Sequence, residues 1–202
     1  MSGADERRVP AREGRGEVRE KASRFFAVAA RADSADAAEA VVAALRREHH
    51  AATHVAFAWR VGAADAAVRR SDAGEPAGTA GPPIAGAIDS AGLTDVAVAV
   101  ARYFGGTKLG TGGLARAYRL AAGRAIAACG SEIVHDVVRV RARCPFDRTG
   151  ALRRLIDPPH VRLVSEAFAP EPAMELEVRR SRLDAFVARL VEERLDYEIC
   201  DL

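Results

Sequence analysis

Aromatic residues are sparse in this 202-residue chain, 5% of it with a single tryptophan, so alanine, valine and leucine must build most of the core. Cysteine is sparser still. Cys129, Cys144 and Cys200 are odd in number, far apart and without a CxxC pair, which argues against a disulfide framework and against a structural zinc site. No apolar run approaches the roughly 18 residues that span a bilayer. The opening stretch MSGADERRVPAREGRGEVREK lacks the apolar centre of a signal peptide. The expectation is a soluble, cytoplasmic protein with no membrane partner, no metal and no cofactor. Lysine is the scarcest charged residue: 2 lysines stand against 28 arginines. Wherever a plain positive charge suffices, this chain uses arginine, so a lysine inside a motif points to a place where a compact ammonium fits and a planar guanidinium does not.

What is present is ordinary for a globular protein: 49% hydrophobic and 29% charged residues. A net charge of +2 does not by itself announce a nucleic-acid binder. Residues 1–131 carry 18 Lys/Arg against 14 Asp/Glu, and residues 132–202 carry 12 against 14, which suits two units. Residues 1–16, rich in Arg, Glu, Gly and Pro, read as a disordered tail. Ser23–Ala32 reads as a strand, followed by a helix that Asp33 or Ser34 caps and that runs to about His49. Thr53–Val61 alternates as a half-buried strand, with Val55, Phe57, Trp59 and Val61 on the inner side. A turn-rich loop over 62–81 precedes a short helix in PPIAGAIDSAG. Thr94–Phe104 has a valine face and an alanine face, as expected of a central strand covered on both sides. A helix from Leu114 to Cys129 ends at Gly130. Then the pattern restarts: strand 133–144, helix 147–156, strands 161–168 and 174–179, helix 181–194 and strand 197–201. The order βαββαβ is that of a ferredoxin-like plait.

The most informative stretch is YFGGTKLGTGGLARAY, Tyr103–Tyr118, which packs five glycines into residues 105–113 around Lys108. A strand, a glycine-rich turn and a helix start together present backbone N–H groups to an anion, and the helix dipole adds to their pull. Gly105, Gly106, Gly110, Gly112 and Gly113, the hydroxyls of Thr107 and Thr111, and the charges of Arg102, Lys108 and Arg116 compose a candidate phosphate or nucleic-acid site. The alternative is that the glycines only permit left-handed turns and close helix–strand packing. The Walker pattern fails, because Lys108 precedes Gly110. Gly110–Ala115 satisfies the dinucleotide pattern GxGxxA only loosely, five residues beyond its strand.

A second stretch, SDAGEPAGTAGPP (Ser71–Pro83), offers Asp72 and Glu75 as acid–base groups that His54 could join if the fold brings them together; otherwise it is a surface turn. His49 and His50 suit a helix C-terminus without any metal. Arg139, Arg141 and Arg143 share one strand face, where they either hold RNA or pair across the sheet with Glu175 and Glu177.

RYFGGTKLGTGGLARAY (Arg102–Tyr118) and SDAGEPAGTAGPPI (Ser71–Ile84), in this order in the chain with the second first, closely resemble the signature of the YigZ/IMPACT family. REKASRFFA (19–27) and HHAATHVAFAW (49–59) resemble its earlier part, so the likeness covers about residues 17–130. Ala73 departs from the pattern, which usually has a second Asp there. The resemblance implies an α+β chain: an N-terminal domain over 17–131 with the α/β sandwich fold of the second domain of ribosomal protein S-five, then a ferredoxin-like domain over 132–202 similar to the last domain of elongation factor G. Eukaryotic relatives regulate translation through a protein partner. The implied reading is a non-enzymatic, translation-linked regulator that binds RNA or a ribosome-associated partner, with a protein–protein regulator and a hydrolytic or phosphoryl-handling enzyme using His54, Asp72 and Glu75 as the alternatives. The oligomeric state is not legible.

Overall fold

Along one strand of this chain valine and alanine alternate so regularly that both of its faces are apolar, and the architecture of the larger unit follows from that. The computed structural model describes residues 5–62, 66–168 and 170–200. The strands are β1 (Glu6–Pro10), β2 (Gly14–Glu20), β3 (Ser23–Arg31), β4 (His54–Val61), β5 (Ala67–Ser71), β6 (Val96–Tyr103), β7 (Ser131–His135), β8 (Val137–Arg143), β9 (Val161–Ala167), β10 (Ala173–Arg179) and β11 (Asp196–Cys200). The helices are α1 (Ala35–Glu48), α2 (Gly81–Ala91), α3 (Gly110–Cys129), α4 (Thr149–Arg154) and α5 (Leu183–Glu192). The chain is α+β and divides into two compact units, Arg7–Val134 and His135 onward, with Asp5 and Glu6 grouping with the second.

In the first unit β6 is the middle strand of an antiparallel sheet ordered β2-β3-β6-β4-β5. Val96, Val98 and Val100 pack with α2 and α3, while Ala97, Ala99 and Ala101 pack with α1. A strand covered on both faces reads as a continuous apolar run. Neighbouring β4 is covered on both faces too, and is not half-buried: Phe57 and Trp59 lie under α1, and Ala56 and Ala58 lie under α2 and α3. The reason is size. Alanines on the second face let the helices approach closely, so that face looks merely small in the sequence. α1 is capped as expected, with Ser34 Oγ accepting from the Ala37 N–H.

Two segments depart from the sequence reading. The loop over 62–81 contains β5, an exposed edge strand paired with β4 whose polar residues hide it; residues 63–65 of that loop lie outside the described ones. The disordered tail expected over 1–16 carries β1 and the start of β2, residues 1–4 again lying outside the described ones. Val9 is fully buried and β2 pairs with β3 along its whole length. The glycines that suggested disorder are packing glycines. A Cβ on Gly14 would lie 2.2 Å from the Cys129 nitrogen and 2.3 Å from the Ala125 oxygen, and one on Gly16 would lie 2.7 Å from the Ala125 nitrogen. β2 can lie against the alanine-rich face of α3 only because these two positions have no side chain.

In the second unit, β8, α4, β9, β10, α5 and β11 follow the order βαββαβ, and the antiparallel sheet is ordered β11-β8-β10-β9, which is the ferredoxin-like plait. Its core joins Val140, Leu152, Met174, Leu176 and Leu190. Asp5 is bound to this unit: its carboxylate accepts from the Ser181 N–H at 2.7 Å and from the Ser181 hydroxyl.

Two glycine substitutions should therefore act in opposite directions. Gly14→Ala is expected to destabilise the protein by about 3 kcal/mol or more, because the backbone of α3 cannot give way. Gly123→Ala, in α3 with open space around its Cβ position, should add roughly 0.5–1 kcal/mol. Urea unfolding of the full chain reads both, and a neutral Gly14→Ala would refute the close-approach argument.

Candidate functional site

Strand parity places Arg102 on the valine face of β6, beneath α2 and α3, where it is 6% exposed. A guanidinium so enclosed needs a carboxylate and further hydrogen bonds. Glu75 supplies the carboxylate, with Oε1 and Oε2 accepting from Arg102 Nη1 at 2.8 and 2.9 Å. Ser23 Oγ accepts from Nη2 at 3.4 Å. The Tyr118 hydroxyl donates to Glu75 Oε1 at 2.7 Å. Burial pushes the Tyr118 phenol far above its ordinary range, and the bond to Glu75 reinforces the shift, so it stays a donor. The Tyr118 ring meets Phe25 edge-on, 5.1 Å between centroids. One buried network thus ties β3, β6, α3 and the loop after β5.

That loop has its own clamp. The Asp72 carboxylate accepts from the N–H groups of Gly78 (2.9 Å), Ala80 (2.9 Å) and Gly81 (2.8 Å), which closes the loop and caps the start of α2. Burial alone would raise its pKa, but the three backbone donors outweigh it and hold the carboxyl below its ordinary value. Asp72 is occupied structurally and does not line the cleft described next. Ala73 adopts a left-handed φ of +50°, a conformation that Asp tolerates better than Ala. Its carbonyl accepts from the His54 ring, with Nδ1 2.9 Å away. Since a carbonyl can only accept, Nδ1 carries the hydrogen, and in the neutral ring Nε2 keeps the lone pair.

The glycine loop leaves β6 and opens α3. Gly105 is pressed against Ala22, where a Cβ would lie 2.0 Å from the Ala22 carbonyl carbon. Gly106 and Gly110 take φ of +83° and +72°. α3 then begins with no side-chain cap and no acidic residue in its first turn, so its leading N–H groups are available to an anion. An open cleft of about 480 Å³ lies here, lined by His54, Glu75, Arg102, Lys108, Gly110 and Thr111 together with Thr53, Pro76, Phe104, Leu109 and Leu114. Lys108 is exposed and makes no ion pair or hydrogen bond among the described residues. Phe104 is 48% exposed, with the Arg102 guanidinium 5.6 Å from its ring centroid.

Of the expected residues, His54, Glu75, Arg102, Lys108, Gly110 and Thr111 come together. Asp72, Gly105, Gly106, Thr107, Gly112, Gly113 and Arg116 do not line the cleft. Arg102 borders it, yet its charge is already met by Glu75. Phe104 and Tyr118 were passed over, although both lie in the quoted stretch; strand parity, which puts Phe104 beside Arg102 at the open end of β6, was the available signal. His49 is engaged elsewhere, stacked on Phe26 at 4.8 Å with Nδ1 3.2 Å from the Tyr103 hydroxyl. The arginines of β8 are paired across the sheet. Arg141 faces Glu175 at 2.5 Å and Arg139 faces Glu177 at 3.3 Å, each directly opposite in register.

Two predictions follow from these bonds. Glu75→Ala leaves Arg102 buried and alone and should cost about 3–5 kcal/mol, whereas Glu75→Leu combined with Arg102→Met should cost far less; thermal or urea unfolding of single and double variants measures the difference. The folded pKa of Asp72 lies below its ordinary 3.8, so its clamp contributes stability that is complete above that value and lost as pH falls through the lowered one. Asp72→Asn, which removes the charge and turns an amide NH2 toward one of the backbone donors, should lose roughly 1–3 kcal/mol at pH 7 and show a shallower loss on acidification. Identical acid limbs for the two proteins would contradict the assignment.

The Impact N-terminal domain matches residues 21–126. An IMPACT family member of Thermus thermophilus is 44% identical over 149 residues, spanning 74% of this chain and 79% of that protein. The IMPACT family member YigZ of Escherichia coli is 29% identical over 174 residues, 85% of each chain. The crystal structure of a hypothetical protein superposes over 98% of both chains with a TM-score of 0.68 and 25% identity. With the Impact N-terminal domain matched over more than half of its residues and a 44% identical IMPACT family member covered to 79%, this chain belongs to the IMPACT family.

Proposed function

We propose that this protein is a non-enzymatic, translation-linked regulator of the cytoplasm that binds RNA at the cleft between the end of β6 and the start of α3. The observation that carries the reading is the pairing, on one cleft, of an unpaired cation with an exposed aromatic ring. Lys108 and the uncapped start of α3 suit a phosphate. Phe104 offers a face on which a base stacks, and single-stranded RNA is bound by this combination of backbone charge and stacking. Family membership supports the link to translation, since the eukaryotic relatives of the resemblance regulate it; that link is an analogy of family and not of site.

The enzymatic reading keeps one observation in its favour: His54, with Nδ1 fixed by the Ala73 carbonyl, shares the cleft with Lys108. Against it, Glu75 is spent on Arg102 and Tyr118 and Asp72 on three backbone N–H groups, so neither carboxylate orients or assists the imidazole. A partner protein docking on the same cleft is the remaining alternative.

The test is crosslinking and sequencing of RNA bound in cells, beside titration of the purified full chain with a labelled single-stranded RNA at several salt concentrations. Lys108→Ala should weaken binding about tenfold and reduce the slope of log affinity against log salt by about 0.7, as loss of one phosphate contact requires. Phe104→Ala should weaken binding without changing the slope. His54→Ala should leave binding near wild type and reveal no lost turnover. RNA affinity that ignores salt, or an empty crosslinking profile, would overturn the reading; a salt-resistant protein complex lost in Lys108→Ala would replace it with the partner-protein alternative.

A further inference from the structure

The second unit contains a site that the family likeness does not address. Seven of its twelve arginines are committed to a carboxylate among the described residues. Arg139, Arg141, Arg143, Arg148, Arg153, Arg162 and Arg180 each meet a carboxylate. Arg182 and Arg189 meet none and make no side-chain hydrogen bond among the described residues. Arg182 is the residue that precedes α5 and Arg189 lies in its last turn, and both line one cavity together with Phe186. The cavity is about 230 Å³; its floor is Leu155, Val161 and Phe186 and its rim is Arg182, Arg189, His160 and Asp157. Two guanidiniums face a single carboxylate.

The imidazole adds a third donor. His160 Nδ1 is enclosed by protein with no hydrogen-bond partner. An enclosed N–H without an acceptor is costlier and rarer than an enclosed lone pair, so Nδ1 is the bare nitrogen and the neutral ring carries its hydrogen on Nε2. Nε2 has no protein partner among the described residues and is not enclosed. It therefore faces water as a donor. Unpaired arginines and an imidazole that line one apolar-floored cavity supply the kinds of donor that recognise a phosphoryl group, whose oxygens accept from guanidinium forks and N–H donors together.

We infer that the cavity between α5 and the segment 155–161 binds a phosphoryl group, with Arg182, Arg189 and His160 as its donors. The sheet face of the same unit, where Arg139 and Arg141 are neutralised by Glu177 and Glu175, does not take it. The phosphoryl group comes from a small phosphorylated metabolite or from a nucleic-acid backbone. The inference is independent of the cleft beside Lys108 and survives the failure of that reading.

The experiment uses the full chain and NMR-detected titration with inorganic phosphate in one arm and a short single-stranded RNA in the other. Wild type should show saturable shifts of the Arg182 and Arg189 side-chain Nε–H and His160 ring signals. R182Q/R189Q should weaken the binding about tenfold or more, from two lost charge-assisted contacts. R154Q/R194Q removes two arginines of the same unit that are also without a carboxylate partner but lie outside the cavity, and should leave the binding unchanged. All four arginines are exposed, so neither double variant should disturb folding, which thermal unfolding checks. Saturation by phosphate with RNA silent identifies a small phosphorylated ligand, and tighter saturation by RNA at the same signals identifies a nucleic-acid backbone. No saturable shift with either probe, or equal weakening in both double variants, overturns the inference.

Discussion

The buried contact between Arg102 and Glu75 is the constraint on which the first unit's functional end depends. A guanidinium at the end of β6, inside the layer formed by α2 and α3, is tolerable only if a carboxylate is brought to it. The carboxylate belongs to the loop after β5, and together with the Asp72 clamp the demand of Arg102 fixes where that loop runs. Tyr118 then adds α3 to the same arrangement through Glu75 Oε1. An apolar substitute of similar volume could be as stable, since desolvating two charges is expensive. What the ion pair adds is selection of one loop position, because any other position leaves a buried charge without its partner. The cleft inherits its shape from this choice, with Glu75 and Pro76 on one wall and the glycine loop on the other.

Much of this was legible before any coordinates. The valine and alanine faces of β6 announced a central strand, and the βαββαβ order announced the plait, because both depend on local periodicity. The pairing of Arg139 and Arg141 with Glu177 and Glu175 followed from the plait's strand order. What escaped depended on contacts distant in sequence. Gly14 and Gly16 looked like a loose tail because composition cannot tell a glycine that accommodates a helix 110 residues away from one that merely adds freedom. β5 escaped because an exposed edge strand lacks the alternation that marks a half-buried one. Asp72 and Glu75 looked like a pair of acids, and they turned out to have separate structural duties. One sign of the burial of Arg102 was available: its parity matches Val96, Val98 and Val100, and a charged residue on an otherwise apolar strand face implies a buried partner.

The chain's preference for arginine sharpens the contrast. Among the described residues, half of the arginines meet a carboxylate, on the sheet face of the plait and elsewhere in both units. The delocalised charge and several donors of arginine suit that work. A cation without a carboxylate therefore carries information only where it also lines a cleft. Lys108 is such a cation on the glycine loop, and Arg182 and Arg189 are such cations at the cavity beside α5.

The charge bookkeeping at the cleft also limits what kind of ligand it can hold. Arg102 and Glu75 cancel, so one ammonium and the partial charge of a helix start remain, together worth only a few kcal/mol against a phosphate at the surface. A lone phosphate would be held weakly there. Useful affinity needs further contacts, such as stacking on Phe104 and repeated phosphates along a strand. A polymer satisfies that requirement and a small anion does not. If the second unit also holds phosphoryl groups, a strand long enough to reach both units gains by effective concentration, because its second contact becomes intramolecular. Modest sites on two compact units are then enough for a tight complex, and each alone remains weak enough to release its ligand.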